Sequence, residues 1–244
     1  MVPAKMKFLN LSLPTPAEYL AADEALLDQC EAGHGGETLL FWEPRQTFVV
    51  VGYANKIATE VNAAACQRRG IPIFRRCSGG CTVVQMPGGL NKSLILPITE
   101  DGPTRNITSA NHCIMERNRR ALADATDRPV VVRGHTDLAI GDQKFAGNSQ
   151  RRRRNHLLFH GTILLECDLN LISELLPMPS LEPDYRGNRS HLEFVMNLQV
   201  PAETVKAALQ AEWAATEPLA NPPLAALAAL ARERYSTEAW NFKF

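Results

Sequence analysis

The sequence predicts an α+β fold, and three observations carry that prediction. Short apolar runs rich in Val, Ile, Phe and Trp, such as Thr38–Trp42, Thr47–Val51 and Leu157–Leu165, read as strands. About five longer stretches carry helix start or stop signals and apolar residues at helical spacing. The two kinds of stretch follow one another without regular strand–helix–strand alternation, which argues against a doubly wound parallel sheet. At 244 residues, 45% hydrophobic and 21% charged, the chain is long enough for one substantial core.

Thr15-Pro16-Ala17-Glu18 supplies an N-cap, a proline at the first helical position and a glutamate three residues past the cap. A helix opens there and runs to about Cys30, before Gly33, with Tyr19, Leu20, Leu26, Leu27 and Cys30 on its apolar face. Asp23-Glu24 reads as part of this scaffold. The strands Thr38–Trp42 and Thr47–Val51 flank Glu43-Pro44-Arg45-Gln46, and Val61 to Arg69 is a short helix closed by Gly70. A strand at Leu94–Leu96 ends at the break Asp101-Gly102-Pro103. A helix from Ile107 to about Ala125 follows, with Ile114, Met115, Ala121 and Leu122 as its apolar positions.

Val130–Val132 and a hairpin from Asp137 to Ala146, turning at Gly141-Asp142, come next. Strict alternation would put Lys144 and Ala146 on one face of the return strand, and Gln143 and Phe145 on the other. Arg151–Arg154 is a charge run, a solvated loop or a docking site for an acidic partner. Leu157–Leu165 is an apolar strand whose Gly161 signals close backbone approach. Residues 175–191 are proline-rich and irregular, as a connector or a lid would be. Two helices rich in Ala and Leu, Ala202–Trp213 and Pro223–Arg234, close the chain. With no repeat and no low-complexity linker, residues 1–244 read as a single domain in which 202–244 is a helical C-terminal extension. About 45 residues after the last motif are too few for another domain of ordinary size.

Two stretches carry chemistry. Arg75–Ser93, RRCSGGCTVVQMPGGLNKS, is a glycine-bearing loop between apolar runs. Gly-Gly pairs let backbone N–H groups approach a ligand, and a neighbouring arginine adds charge and a forked donor. By itself the stretch reads equally as a surface hairpin. In the second, Lys144 sits between short apolar neighbours before Gly147-Asn148-Ser149, so it could face a site; an ordinary solvated strand lysine has the same local sequence.

In this order, the residues resemble the lipoate–protein ligase family, within the wider biotin and lipoate ligase and octanoyltransferase superfamily. The resemblance rests on Arg76, Ser78, Gly79, Gly80, Gln85, Gly89 and Asn91; on Asp137, Lys144, Gly147 and Gln150; and on His160-Gly161-Thr162 before Ile163-Leu164-Leu165. It covers roughly residues 15 to 200, and Cys81 stands where the family usually has a third glycine. The resemblance implies a mainly antiparallel mixed sheet flanked by helices, like a biotin/lipoate ligase catalytic domain, with the site in a cleft at the glycine loop. It implies ATP and acyl-adenylate binding by Arg76, Ser78, Gly79, Gly80, Cys81, Thr82, Val83, Val84, Asn91, Asp137, Lys144, Gly147, His160, Gly161 and Thr162. It further implies an acyl pocket at Trp42 and Tyr53, and Asp137 as a Mg²⁺ ligand or an orienter of Lys144.

The implied reaction is ATP-dependent ligation. Lipoate or octanoate becomes an acyl-adenylate and passes to a lysine of a lipoyl carrier domain, either an E2 acyltransferase subunit or a glycine-cleavage H-type protein. Such a site must hold a carboxylate and an α-phosphate close together against their repulsion, with donors and cations already in place. Lys144 is the candidate catalytic residue. One alternative is octanoyl or lipoyl transfer through a cysteine thioester. The transferase branch typically has Pro-Cys-Gly about 30 residues after its lysine, where this chain reads Leu176-Pro177-Met178-Pro179, leaving Cys77, Cys81 and Cys167 as candidates. Another is a non-catalytic binding module, or one half of a split ligase whose accessory domain is a separate protein.

Composition bounds the rest. A formal net charge of zero argues against nucleic acid as a partner, and no apolar run approaches the roughly 18 residues of a membrane span. Six scattered cysteines without a second ligand pair read as thiols in a reducing compartment, and the expected location is the cytoplasm.

Overall fold

The computed structural model describes residues 6–244. Its strands are β1 (Lys7–Leu11), β2 (Thr38–Trp42), β3 (Phe48–Val51), β4 (Ile73–Arg75), β5 (Val83–Gln85), β6 (Gly89–Pro97), β7 (Val130–Arg133), β8 (Asp137–Ile140), β9 (Gln143–Arg152), β10 (His156–Leu164) and β11 (Glu217–Pro218). The helices are α1 (Pro16–Glu31), α2 (Ile57–Glu60), α3 (Ala63–Arg69), α4 (Ile107–Thr126), α5 (Leu169–Leu175), α6 (His191–Phe194), α7 (Ala202–Glu212), α8 (Leu224–Leu230) and α9 (Glu238–Asn241). Eight strands form a mixed sheet in the order β11-β1-β2-β6-β10-β9-β8-β7, and β4-β3-β5 form a second, three-stranded sheet. The pairs β2–β6, β6–β10, β10–β9, β9–β8 and β8–β7 are antiparallel, whereas β1 runs parallel to β2 and to β11. This is the α+β architecture the sequence predicts.

The large sheet is covered on both faces, which is why β2 and the Leu94–Leu96 part of β6 read as continuous apolar runs and not as alternating ones. One face packs Leu39, Phe41, Leu94 and Phe159 against Ile114 and Leu122 of α4 and Val205 and Leu209 of α7. The other packs Leu40, Trp42, Ile95 and Leu158 against Leu20 and Leu27 of α1, with Leu227 and Tyr235 behind them. The C-terminal helices are thus part of both cores. A third cluster joins Val49, Val51 and Val84 to Ala65, Ile172 and Leu175.

Local chemistry sets the boundaries. Thr15 and Glu18 close a capping box, with Glu18 N–H on Thr15 Oγ1 at 3.3 Å and Thr15 N–H on Glu18 Oε2 at 3.0 Å. Gly70 ends α3 in the left-handed region at φ 63°. The Glu217-Pro218 step between α7 and α8 is a two-residue edge strand on β1, a position where a missing proline N–H costs no ladder bond.

One expectation fails. The β8–β9 register slips between Leu138 and Ala139, so Leu138 faces Ala146 while Ala139 faces Lys144. The extra residue is Phe145, and Phe145 and Ala146 both enter the α4-side core. The bulge separates Lys144 from Ala146 and puts it with Gly147, because two residues now oppose one.

Candidate active site

The glycine loop is held from inside by Arg76. This buried arginine donates through Nη2 to the carbonyls of Gly79 and Cys81, at 2.6 and 2.8 Å, and through Nε to Ser78 Oγ at 3.0 Å. Burial pulls its guanidinium down to about 10, and it clasps its own loop instead of reaching outward. Tyr53 N–H holds the Ser78 carbonyl at 2.8 Å. Ser149 Oγ holds that of Gly79 at 2.9 Å. In a trans peptide the N–H points opposite the carbonyl, so the N–H groups of Gly79 and Gly80 are turned away from these partners. Neither has an acceptor among the described residues. Gly80 sits at φ +85°, and a Cβ there would stand 3.1 Å from Arg76 Nη2 and 3.3 Å from Ser149 Oγ.

Ser149 also ties the loop to Lys144. Ser149, Gly147 and Lys144 lie on one face of β9, and a Cβ on Gly147 would stand 2.7 Å from Lys144 Nζ. Lys144 Nζ pairs with Asp137 Oδ1 at 2.8 Å, and Asp137 Oδ2 accepts the Tyr185 hydroxyl at 2.8 Å. Burial and the Asp137 charge push the Tyr185 phenol well above its usual value, so it stays a donor. Both Asp137 oxygens are therefore engaged by neighbouring side chains, one by Lys144 and one by Tyr185.

Beneath the loop, His160 Nε2 lies 2.5 Å from Ser78 Oγ, and His160 Nδ1 lies 2.6 Å from Asp23 Oδ2. Ser93 Oγ donates to Asp23 Oδ1 at 2.6 Å. Asp23, which reads as scaffold in the sequence, is therefore part of this constellation. Gln85, Asn91 and Thr162 close a separate triangle of hydrogen bonds of 2.7 to 2.9 Å, which uses Asn91 and Thr162 internally. Thr82 accepts from Asn55 Nδ2 at 3.4 Å. The Val83 and Val84 side chains pack into the two cores beside β5. Gly161 is required where it stands, since a Cβ would meet Asn148 Oδ1 at 2.3 Å.

The two aromatic residues lie apart. Trp42 is buried, stacked on Tyr19 with ring centroids 4.5 Å apart. Tyr53 is exposed, with Lys243 Nζ 3.6 Å above its ring. Each thus has structural partners of its own, and neither lines the two clefts beside the glycine loop.

The glycine loop separates two clefts. The larger, about 720 Å³, lies between α4, the turn after β7 and the free edge of β9, and is lined by Gly79, Gly80, Asn111, Thr136, Asn148 and Ser149 among others. The smaller, about 420 Å³, is lined by Asn55, Glu60, Gly80, Cys81 and Leu181. The 175–191 segment packs across the site: Leu181 O faces Cys81 Sγ at 3.7 Å, and Tyr185 meets Asp137. Most of the arginine run is turned inward, with Arg151 on Cys77 O at 2.5 Å and Arg153 on Glu24 and Asp28 at 3.2 and 2.9 Å. Arg152 donates to Thr104 O at 2.8 Å.

The class defined so far is an α+β domain in which a donor-bearing glycine loop is fastened to a strand lysine. Residues 15–214 match the family model described as the lipoyl protein ligase A/B catalytic domain, and the chain belongs to that family. A probable lipoate-protein ligase A of Mycoplasma genitalium is 27% identical over 91% of this chain and 67% of its own. The octanoyltransferase LipM of Geobacillus kaustophilus is 26% identical over 97% of this chain and 98% of its own. The fold is also that of a bi-partite lipoate protein ligase from Thermoplasma acidophilum, with a TM-score of 0.83 and 24% identity over 98% of this chain and 96% of that one.

Proposed function

We propose that the protein is an ATP-dependent lipoate–protein ligase that activates lipoate or octanoate as an acyl-adenylate and transfers it to a lysine of a lipoyl carrier domain. The observation that carries this reading is the joint placement of Lys144 and the glycine loop, with Ser149 of the Lys144 face bonded to the loop and with N–H groups on Gly79 and Gly80 that have no acceptor among the described residues. In the first step a carboxylate oxygen attacks the α-phosphate and pyrophosphate leaves. Gly79 and Gly80 N–H and the Lys144 ammonium offset the charge that gathers as the two anions meet. Asp137 keeps that ammonium aimed while leaving two of its three donors free. In the second step the acceptor amine attacks the acyl carbonyl and AMP leaves. Mg²⁺ enters as part of the nucleotide substrate, held by phosphates.

The carrier is an E2 subunit or an H-type protein, and an accessory domain on a separate chain remains compatible with one catalytic domain spanning 1–244. Six free thiols support a cytoplasmic location, and no helix among the described residues is long and apolar enough to cross a membrane. Thioester transfer has less support. Burial pushes the Cys77 thiol up to about 12 and Cys167 up to about 11, and no hydrogen bond joins exposed Cys81 to a histidine or carboxylate.

The test is intact-mass analysis of an apo lipoyl domain incubated with the protein, lipoate and Mg-ATP, beside a tube holding octanoyl carrier protein without ATP. Mass gain only in the first supports the ligase. Gain only in the second overturns it in favour of transfer.

A further inference from the structure

We infer that Tyr185 is a positioning residue for the adenylation step. Its hydroxyl holds the Asp137 carboxylate that aims Lys144, so the lysine stays aligned while residues 175–191 are docked across the site. The inference rests on the ligase reading, in which no role falls to Tyr185.

The lysine depends on one neighbour. Among the described residues, Asp137 Oδ1 at 2.8 Å is the one hydrogen-bonding partner of Lys144 Nζ, and the Phe194 ring stands 6.0 Å away. The carboxylate in turn has two constraints, Lys144 on Oδ1 and the Tyr185 hydroxyl on Oδ2 at 2.8 Å. Without the second, only the lysine opposes rotation of the carboxylate, and its four-carbon stem is flexible. Asp137 is almost fully buried, so water does little to weaken the bond from the phenol.

Tyr185 is itself fixed in place. It lies in the single 3₁₀ turn Asp184–Arg186, closed by Arg186 N–H on the Pro183 carbonyl at 2.8 Å. Gly187 ends that turn in the left-handed region at φ 59°. Arg189 Nη2 donates to the Tyr185 carbonyl at 2.8 Å, and the ring packs on Phe194 with centroids 5.2 Å apart. It also meets the wall of the larger cleft at Gly134, where a Cβ would stand 3.6 Å from Tyr185 Cε1. Backbone and ring are thus set before the hydroxyl reaches Asp137.

The same segment reaches the smaller cleft. Ser180 Oγ donates to Glu60 Oε1, and Leu181 O faces Cys81 Sγ at 3.7 Å. Ser180 and Leu181 therefore wall the smaller cleft beside the glycine loop, while Tyr185, a few residues on, secures the lysine pair. Displacing the segment removes that wall and unfastens Asp137 together, which ties the alignment of Lys144 to a covered site.

The experiment compares the full-length wild type with Tyr185→Phe, which keeps the ring and removes only the hydroxyl. Acyl-adenylate formed from lipoate and Mg-ATP is read as hydroxamate. The kcat of the variant should fall about tenfold with both KM values and the melting temperature nearly unchanged, as one lost aligning hydrogen bond would give. In a Lys144→Ala background the same substitution should change the residual rate by less than about twofold, because nothing is left to align. Equal losses in both backgrounds, a raised KM with unchanged kcat, or no loss at all overturns the inference. Labelling with acetic anhydride, without nucleotide, gives a readout apart from activity. Lys144 should be acetylated at least about threefold faster in Tyr185→Phe, with exposed Lys56 unchanged, since a carboxylate that turns away no longer favours the charged amine. The two failures separate. An active wild type whose Lys144 labels as fast as in the variant sinks the inference alone, whereas a wild type that forms no hydroxamate sinks the ligase reading and the inference with it.

Discussion

The large sheet places two lysines, Lys144 of β9 and Lys92 of β6, in opposite circumstances on its two faces. Lys144 sits at a rim, a quarter exposed and paired with Asp137. Lys92, from the neighbouring part of the sheet on the other side, is wholly buried beside Phe159, and its Nζ donates to Asn148 Oδ1 at 3.0 Å. No carboxylate offsets its burial, which pulls its ammonium down to about 7. The difference teaches that a lysine's charge in this fold is set by what faces it and not by strand position. A carboxylate and some water keep one available for anions. An apolar wall and one amide let the other stand neutral near pH 7.

The contrast can be broken at four points, from the largest expected effect to the smallest. Lys144→Ala removes the cation facing the reacting anions and should lower acyl-adenylate formation about 10³-fold, read as hydroxamate release, with little change in melting. An active, normally folded Lys144→Ala protein would overturn the assignment. Lys92 tests the other face through stability. Its folded-state value lies below its unfolded one, so between about 7 and 10.5 the unfolded chain binds more protons and stability rises with pH. Between pH 7.5 and 10 this amounts to about 3 kcal/mol, at roughly 1.4 kcal/mol per unit. Chemical denaturation of wild type and Lys92→Met across that range should show a slope present in the first and absent in the second. Equal slopes would mean that Lys92 is charged in the fold.

Gly147→Ala puts a methyl 2.7 Å from the Lys144 Nζ, and the flexible end of that side chain must move. About a tenfold loss of activity with a near-normal melting temperature is expected, because 1.4 kcal/mol of misplacement gives that factor. Unaltered kcat/KM would show that Lys144 does not work from this rotamer. Ser149→Ala deletes one hydrogen bond to the Gly79 carbonyl, worth about 1 kcal/mol, and should cost a few-fold in the adenylation step alone. A larger loss in carrier transfer than in adenylation would place Ser149 elsewhere in the cycle.

Much of this molecule is local and therefore legible. The capping box at Thr15 and Glu18, the glycine that ends α3 and the turn at Gly141-Asp142 each depend on residues a few positions apart. Ordered motifs brought Arg76, the Gly-Gly pair, Lys144 and His160 to notice before any coordinates. Some features are decided only by packing. Ser78 and His160 are 82 residues apart, and His160 and Asp23 137 apart, so no sequence spacing marks their hydrogen-bonded chain. The bulge at Phe145 reverses the face expected of Ala146, because core volume on the α4 side admits both side chains. Lys92 looks like any strand lysine until the sheet is covered on both faces. Sequence by itself determined the longer helices, the main strands and the donor-rich loop, since these follow from backbone preferences of near neighbours. Tertiary structure decided which polar groups meet and which charges are left unpaired, because burial and hydrogen-bond geometry belong to segments far apart in the chain.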